Sequence, residues 1–349
     1  MILVTGGAGF IGSHIVDALV AGHQEVRVVD SLLAAAHAGT PDYLNPGAEF
    51  VQGDIRDPVV TAQALDGVDA VCHQAAMVGL GVDMLDVEDY VSHNDLGTAV
   101  LLKSLAARRF RGRLVVAGSM VVYGEGGYAC ADHGRVAPQP RLTGDLAAGR
   151  FEPRCPRCEG ELAPCAVAED TPLDPRNVYA ATKVHQEHLC FAFARETDAA
   201  VTVLRYHNVY GPRMPRDTPY AGVAAIFASS LAGGRSPCVF EDGRQLRDFV
   251  HVRDVARANV MALTADEVTA GAFNVASGTP RSVGEMARAL ADAAGPGAPR
   301  PVVTGDYRLG DVRHVFASAE RAGRVLGFRA SEDFHDGMAE FSRAPLRAV

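Results

Sequence analysis

The 349-residue chain has no basic surplus: 33 lysines and arginines stand against 42 aspartates and glutamates, a net charge of −9. Nothing in that balance draws it onto a phosphate backbone, and no nucleic-acid partner is expected. It also lacks any run of 18 apolar residues, so no membrane-spanning helix and no membrane partner are expected. Met1-Ile2-Leu3-Val4 has no basic n-region and no cleavage site, which argues against a signal peptide and for a cytoplasmic location. Cysteine is scarce, seven in all, too few for a disulfide scaffold. With 48% hydrophobic and 21% charged residues, the composition excludes wholesale disorder, and the length suits two lobes on a shared core.

Short apolar runs alternate with helical patterns through the first half. Ile2–Val4, Glu25–Val29, Ala70–His73 and Leu114–Ala117 read as buried strands, with helices at Gly12–Ala21 and Asn94–Ala107. Val201–Arg205 and Ala272–Val275 read as later strands. The alternation predicts an α/β protein with a Rossmann-type, doubly wound parallel sheet. Residues 1–205 are expected to form that domain, interrupted by an insertion at 126–169. Residues 206–349, opening on the loop with Pro212, Pro215 and Pro219, are expected to form a smaller substrate-binding lobe, from which 248–275 return to the first domain.

Glycines recur in Thr5-Gly6-Gly7-Ala8-Gly9-Phe10-Ile11-Gly12, directly after the first strand. Gly6 and Gly9 permit a tight turn against a pyrophosphate, and Gly12 lets helix and strand pack closely. Asp30 ends the second strand, where a carboxylate accepts the adenosine ribose hydroxyls and repels a 2′-phosphate, favouring NAD over NADP. Asp54 follows a further strand; it either meets the adenine or caps a helix.

Tyr179 and Lys183 stand four apart, on one face of a predicted helix. A nearby ammonium is expected to favour the phenolate. Such a tyrosine takes a proton from a sugar hydroxyl while a hydride leaves the same carbon for nicotinamide. Ser119 lies at a strand end upstream.

With these pieces the sequence resembles the extended short-chain dehydrogenase/reductases of the NAD-dependent nucleotide-sugar epimerase/dehydratase group. The matches run from the glycine turn and Asp30 through His73-Gln74-Ala75-Ala76, Asn94 with Gly97-Thr98, and Ser119 to Tyr123-Gly124. They continue with Tyr179/Lys183, Asn208-Val209-Tyr210-Gly211-Pro212, Arg247-Asp248-Phe249-Val250-His251-Val252, Asn274 to Gly278, and Gly310-Asp311-Val312-Arg313. The resemblance implies a tightly held NAD, a nucleotide-diphospho-sugar substrate and a homodimer formed through the helices after Asn94 and around Tyr179. It implies catalysis by Ser119, Tyr179 and Lys183. Carried over by position, Gly6, Gly9, Phe10, Ile11, Gly12, Asp30, Asp54, Ile55, Gln74, Ala75, Ala76, Asn94, Tyr179, Lys183, His207 and Val209 would hold the cofactor. Met77, Ser119, Met120, Tyr179, Asn208, Phe240, Arg247, Asp311 and Arg313 would hold substrate, with Asn208 and Arg247 at the diphosphate and Asp311 and Arg313 at the nucleotide end.

Dehydratases of this group carry an acidic residue just after the serine position, and decarboxylases a glutamate. This chain has Met120 and Val121, which can neither protonate a leaving hydroxyl nor assist a departing carboxylate. A 4-epimerase with recycled NAD fits best; a 4-ketoreductase or dehydrogenase using NAD(P) would need the same residues. The segment Met77-Val78-Gly79-Leu80-Gly81-Val82, where uronate-using relatives place basic or hydroxyl side chains, is uncharged. An unpaired carboxylate there would be costly, whereas a methyl group would fit. With Met214–Tyr220, the pattern is most similar to dTDP-L-rhamnose 4-epimerase-type sequences, which implies a 6-deoxy sugar.

Tyr123 and Tyr179 are 56 residues apart, more than such relatives usually need. The surplus holds Cys130-Ala131-Asp132-His133 and Cys155-Pro156-Arg157-Cys158. Two pairs with two intervening residues match zinc-ribbon knuckles, and Cys130, His133, Cys155 and Cys158 would close a structural tetrahedral zinc, with Cys165 as an alternative to His133.

Overall fold

The structure, a computed structural model, describes residues 1–78, 84–216 and 222–347. Seven parallel strands form the main sheet, in the order Gly271–Val275, Ala200–Tyr206, Arg113–Ser119, Ala70–His73, Ile2–Thr5, Val26–Asp30 and Glu49–Gln52. The six strands expected from the sequence lie among them, most extended by a residue or two at their ends. The strand order reverses between Ile2–Thr5 and Ala70–His73, and a crevice at the carboxyl ends of such strands is where an α/β sheet binds its ligand.

Helices cover both faces because the strands are apolar on both sides. On one face Ile15, Val16 and Leu19 of helix Phe10–Ala21 meet Val255, Ala258 and Ala262 of helix Val252–Thr264. On the other, Leu101, Leu102 and Leu105 of helix Gly97–Ala107 pack with Cys190 and Phe193 of helix Val178–Glu196. Each buried leucine or phenylalanine contributes roughly 1.5–3 kcal/mol of transfer free energy. The helix expected from Asn94 begins earlier, because a π-helical turn at Val91–Leu96 precedes it and carries Asn94 inward. Asn177 starts the Tyr179 helix by accepting from the Ala180 N–H at 2.8 Å.

Strand Leu246–His251 belongs to a small sheet with Asn208–Tyr210 and Pro280–Ser282, whereas helix Val252–Thr264 and strand Gly271–Val275 lie on the main sheet. The lobe has its own core, built on Tyr210, Phe227, Phe249, Met286, Leu290 and Phe341. Among the described residues no helix is long and apolar enough to cross a membrane.

The insertion forms a three-stranded antiparallel sheet of Gly134–Arg135, Gly127–Cys130 and Ala163–Cys165, with one short helix, Thr143–Ala147. Its apolar core is small, with Tyr128, Cys130, Cys155 and Leu162 fully enclosed. It docks on the lobe through backbone pairs: the Val167 N–H donates to Phe316 O and the Ser318 N–H to Val167 O.

Candidate active site and cofactor cleft

At the switch point the chain leaves strand Ile2–Thr5 and turns at Gly6, whose φ is +68°. A Cβ at Gly6 would lie 2.7 Å from the Ala75 nitrogen, and one at Gly12 would lie 2.2 Å from the Gly6 carbonyl oxygen. Both positions therefore exclude any side chain, and the first N–H groups of the following helix face an open cleft. The cleft measures about 430 Å³. It is lined by Gly6, Gly9, Phe10, Ile11 and Gly12 of the turn, by Asp30, Asp54, Ile55, Gln74, Ala75 and Ala76 at the next strand ends, and by His207 and Val209 opposite.

Asp30 is held by its surroundings. One carboxylate oxygen accepts from the Ala8 N–H at 3.0 Å and the other from the Leu32 N–H at 2.9 Å. Asp54 is not a helix cap; Asp57 caps helix Pro58–Ala64, and Asp54 instead forks onto the Arg56 guanidinium at 2.6 Å. Hydrogen bonds from Arg56 hold the Asp54 carboxyl below its usual range. Asn94 does not line the cleft: its fully buried amide brackets Met77, accepting from the Met77 N–H at 2.7 Å and donating to the Met77 carbonyl at 3.0 Å. It positions the segment that does line the cleft.

Ser119, Tyr179 and Lys183 meet at one end of the cleft. Strand Arg113–Ser119 delivers Ser119, and the Tyr179 helix delivers the other two from adjacent turns. The Lys183 ammonium is buried, donates to the Ala117 carbonyl at 3.0 Å and sits 5.9 Å from the Tyr179 ring centroid. Burial pushes the Tyr179 phenol up to about 12, against a hydrogen bond with Ser119 that lowers it. The sequence expectation of a lysine-lowered phenol is thus reversed in the chain alone, because desolvation of the phenolate outweighs the neighbours. Burial likewise pushes Lys183 down to about 8, opposed by Glu187. The other tyrosine of the motif, Tyr123, is locked away from the site: it donates to Asn274 Oδ1 at 2.7 Å and accepts from Arg205 at 2.8 Å.

His207 is buried, and burial pushes its imidazole down to about 3, opposed by Asn274. Neither ring nitrogen has a partner in hydrogen-bonding geometry, and the Asn208 Oδ1 is likewise buried and unpaired. Glycine turn, anchored carboxylate and unspent polar atoms on the cleft wall together fit NAD.

At the sugar end Met77, Val78, Met120, Val121 and Asn208 line the cleft. Gly79, Leu80, Gly81 and Val82 of the expected sugar pocket, and 217–220 of the segment Met214–Tyr220, lie outside the described residues. Phe240, Arg247, Asp311 and Arg313 do not line it. Phe240 stacks under Arg308, with 4.9 Å from guanidinium carbon to ring centroid. Asp311 is a half-buried carboxylate raised by desolvation, with Arg247 and Arg308 opposing. Arg247 donates to the carbonyls of Leu246, Val312 and Arg313 at 2.7–2.9 Å.

Arg313 departs furthest from expectation. It is fully buried, and its N–H groups run to Glu152, Glu241 and Asp242 at 2.6–3.0 Å. A guanidinium has five N–H donors, and here five bonds to carboxylates use them. In this arrangement Arg313 is a structural tie and has no donor for a nucleotide. Sequence reasoning also missed His37 and Arg347 on the cleft wall. His37 Nε2 stands 4.0 Å from Asp30. Arg347 arrives from the far end of the chain, its backbone paired with Met214, a contact no local motif announces.

In the insertion Cys130, His133, Cys155 and Cys158 converge, with all four ligand atoms within 4.8 Å of one another. Cys165 stands apart from the four, paired into the sheet opposite Gly127.

Residues 2–141 and 159–276 match the model of the NAD dependent epimerase/dehydratase family. The chain belongs to this family. The interval between the two matched stretches, 142–158, falls inside the insertion. A curated relative, the dTDP-L-rhamnose 4-epimerase of Burkholderia thailandensis, is 33% identical over 344 residues, covering 97% of this chain and 93% of its own. Among solved structures, the UDP-glucose 4-epimerase of Thermotoga maritima, crystallised with UDP-glucose, superposes with a TM-score of 0.79 at 29% identity, covering 98% of this chain and 97% of its own. The UDP-glucose 4-epimerase of Thermus thermophilus, in complex with NAD, does so with a TM-score of 0.75 at 29% identity and the same coverage.

Proposed function

We propose that this epimerase-family chain is a nucleotide-diphospho-sugar 4-epimerase that keeps one NAD through turnover and acts on a 6-deoxy sugar such as that of dTDP-L-rhamnose. The observation that carries the reading is the meeting of Ser119, Tyr179 and Lys183 at the cleft with apolar Met120 and Val121 beside them. Bound NAD would supply the hydride acceptor and donor for sugar C4. The positive charge of bound NAD would oppose the burial that raises Tyr179, and as the phenolate Tyr179 takes the C4 hydroxyl proton and gives it back. Ser119 would hold the reacting oxygen, and Lys183, held by the Ala117 carbonyl, would bind the nicotinamide ribose. The neutral His207 adds no competing cation at the nicotinamide end. Asp30, whose carboxylate lines the cleft, supports NAD over NADP.

The substrate assignment is supported by the uncharged wall of Met77, Val78, Met120 and Val121, which suits a C5 methyl and would strand a uronate carboxylate. It is supported again by the relative from Burkholderia thailandensis. A structural zinc in the insertion completes the proposed cofactor set. A homodimer is supported by the exposed apolar residues Val87, Val91 and Leu96, which lead into helix Gly97–Ala107.

The test is product analysis by proton NMR after incubating the purified protein with dTDP-L-rhamnose and no added cofactor. The C4 epimer is expected, with the bound NAD unchanged. Conversion that requires added NAD(P)H and a 4-keto sugar would replace the epimerase with a ketoreductase.

A further inference from the structure

Two β-turns face each other in the insertion. One carries Cys130 and His133 between strands Gly127–Cys130 and Gly134–Arg135. The other carries Cys155 and Cys158 beneath the Arg154–Glu161 bridge, closed by Cys155 N–H to Gly160 O and Glu159 N–H to Cys155 O, both 2.8 Å. Backbone N–H groups of Arg157 and Cys158 point at the Cys155 sulfur. Cys130 Sγ lies 3.4 Å from His133 Nδ1 and 3.6 Å from Cys158 Sγ, and Cys155 Sγ lies 3.6 Å from His133 Nδ1. A tetrahedron with bonds of about 2.3 Å to sulfur and 2.0–2.1 Å to nitrogen has edges of about 3.8 Å between sulfurs and 3.5 Å between sulfur and nitrogen. Three of the six separations lie within about 0.2 Å of those edges, all six lie within 4.8 Å, and the Cys130–Cys158 distance is too long for a disulfide. The segment has too little apolar core to hold itself together, the situation in which small folds use a metal.

The same segment reaches the lobe through charged side chains. Arg141 pairs with Glu241 at 2.8 Å and donates to the Asp311 carbonyl at 2.7 Å. Glu152 takes two bonds from Arg313 with one oxygen and meets His314 Nε2 with the other at 2.8 Å. Burial opposes its charge, but His314 and Arg313 hold the Glu152 carboxyl down to about 2. Arg313 and Val312 in turn offer the carbonyls that fix Arg247, whose three hydrogen bonds leave two donors unspent. No residue of 126–169 lines the NAD cleft.

We propose that Cys130, His133, Cys155 and Cys158 bind one structural zinc ion and that the zinc-ordered insertion is a clamp. Through Glu152 and Arg313 it positions Arg247 for the nucleoside diphosphate. The clamp rests on the nucleotide-sugar reading of the site, and on Arg247 meeting the diphosphate; the metal site does not. Glu152 and Arg313 are positioning residues: the insertion sets substrate affinity and leaves NAD retention and the chemical step alone.

The experiment uses the full chain as purified. Elemental analysis reads the metal, calorimetry reads binding of dTDP, which needs no turnover, and extraction reads bound NAD. One zinc per chain is expected, replaceable by cobalt with the intense visible bands of a tetrahedral thiolate site. A Cys155→Ser/Cys158→Ser double variant should lose the zinc, become protease-sensitive within 126–169 and keep its NAD. Glu152→Gln should keep zinc and NAD yet bind dTDP about tenfold more weakly, with KM raised and kcat unchanged. Glu152→Asp should recover part of the affinity. Iron, or no metal, in the purified protein overturns the zinc site. Zinc present with unaltered dTDP binding in Glu152→Gln overturns the clamp. Tighter binding overturns it too, since Glu152 would then be withholding Arg313 from the nucleotide. Wild-type protein that binds zinc but no nucleoside diphosphate overturns the substrate reading and the clamp built on it, and leaves the zinc site standing.

Discussion

Among the described phenols near the cleft Tyr179 is the one whose proton the chemistry can use, since Tyr206 spends its own on Asn259 and Tyr123 on Asn274. Tyr179→Phe removes the acid/base group and nothing that holds the fold. Its kcat should fall by roughly 10²–10⁴, the usual share of general acid–base catalysis, while extracted NAD stays at the wild-type level. Loss of NAD in that variant would mean the tyrosine is needed for the cofactor rather than for the proton. Lys183 gives a pH signature. Its folded value is pushed down to about 8 from an ordinary 10.5, so between those pH values the unfolded chain binds more protons than the folded one. Stability therefore rises with pH across that window, and below 8 the buried ammonium is fully unfavourable. In the cofactor-free chain, the melting-temperature difference between Lys183→Met and wild type should shrink as pH rises from 8 to 10.5. A constant difference would place the lysine charge in solvent. Tyr179 and Lys183 were legible from their spacing taken together with the glycine turn, and Ser119 from the resemblance; the structure brings the three to one cleft. The direction of the Tyr179 shift was not legible, because it depends on burial of the phenol among side chains from several elements.

At the scale of elements, the turn after the first strand and the π-helical turn at Val91–Leu96 set the two walls. A Cβ at Gly12 would collide with the Gly6 carbonyl. Gly12→Ala should therefore yield protein purified without NAD, with the helix start displaced; retained NAD would show that the turn can give way. Asn94 tests the other wall. Asn94→Ala breaks the bracket on Met77 and the bond to Thr182, leaving buried backbone groups unpaired at a cost of about 1–3 kcal/mol. Urea unfolding should register that loss, and a change within a few tenths of a kcal/mol would show that water replaces the amide. The sequence motif that marks Asn94 points to the right neighbourhood but to the wrong contact. Asn94 acts on the backbone beside the cleft, and only the π-helical turn, invisible to a periodicity of 3.6, shows why.

For the whole molecule, the parallel sheet could be read from apolar runs alternating with helical patterns, and the cofactor cleft follows from its topology. Long-range placement could not be read in the same way. Arg313 matches a nucleotide-binding arginine by resemblance, yet three carboxylates from two distant segments, Glu152 and the adjacent pair Glu241-Asp242, converge on it. One of the three, Glu152, lies in the insertion, where no motif speaks of Arg313. Arg347 crosses to the cleft from the far end of the chain for the same reason: a contact set by tertiary packing leaves no local trace.

In a 4-epimerase of this kind hydride leaves and returns at one sugar carbon without leaving the protein. The most direct measurement follows dTDP-L-rhamnose deuterated at C4 through turnover without added cofactor. Deuterium kept at C4 of the epimerised product, with none in solvent or in free NADH, is the predicted result. Label washed into water, or epimer formed only with exogenous NAD(P)H, would contradict a 4-epimerase that recycles its own NAD.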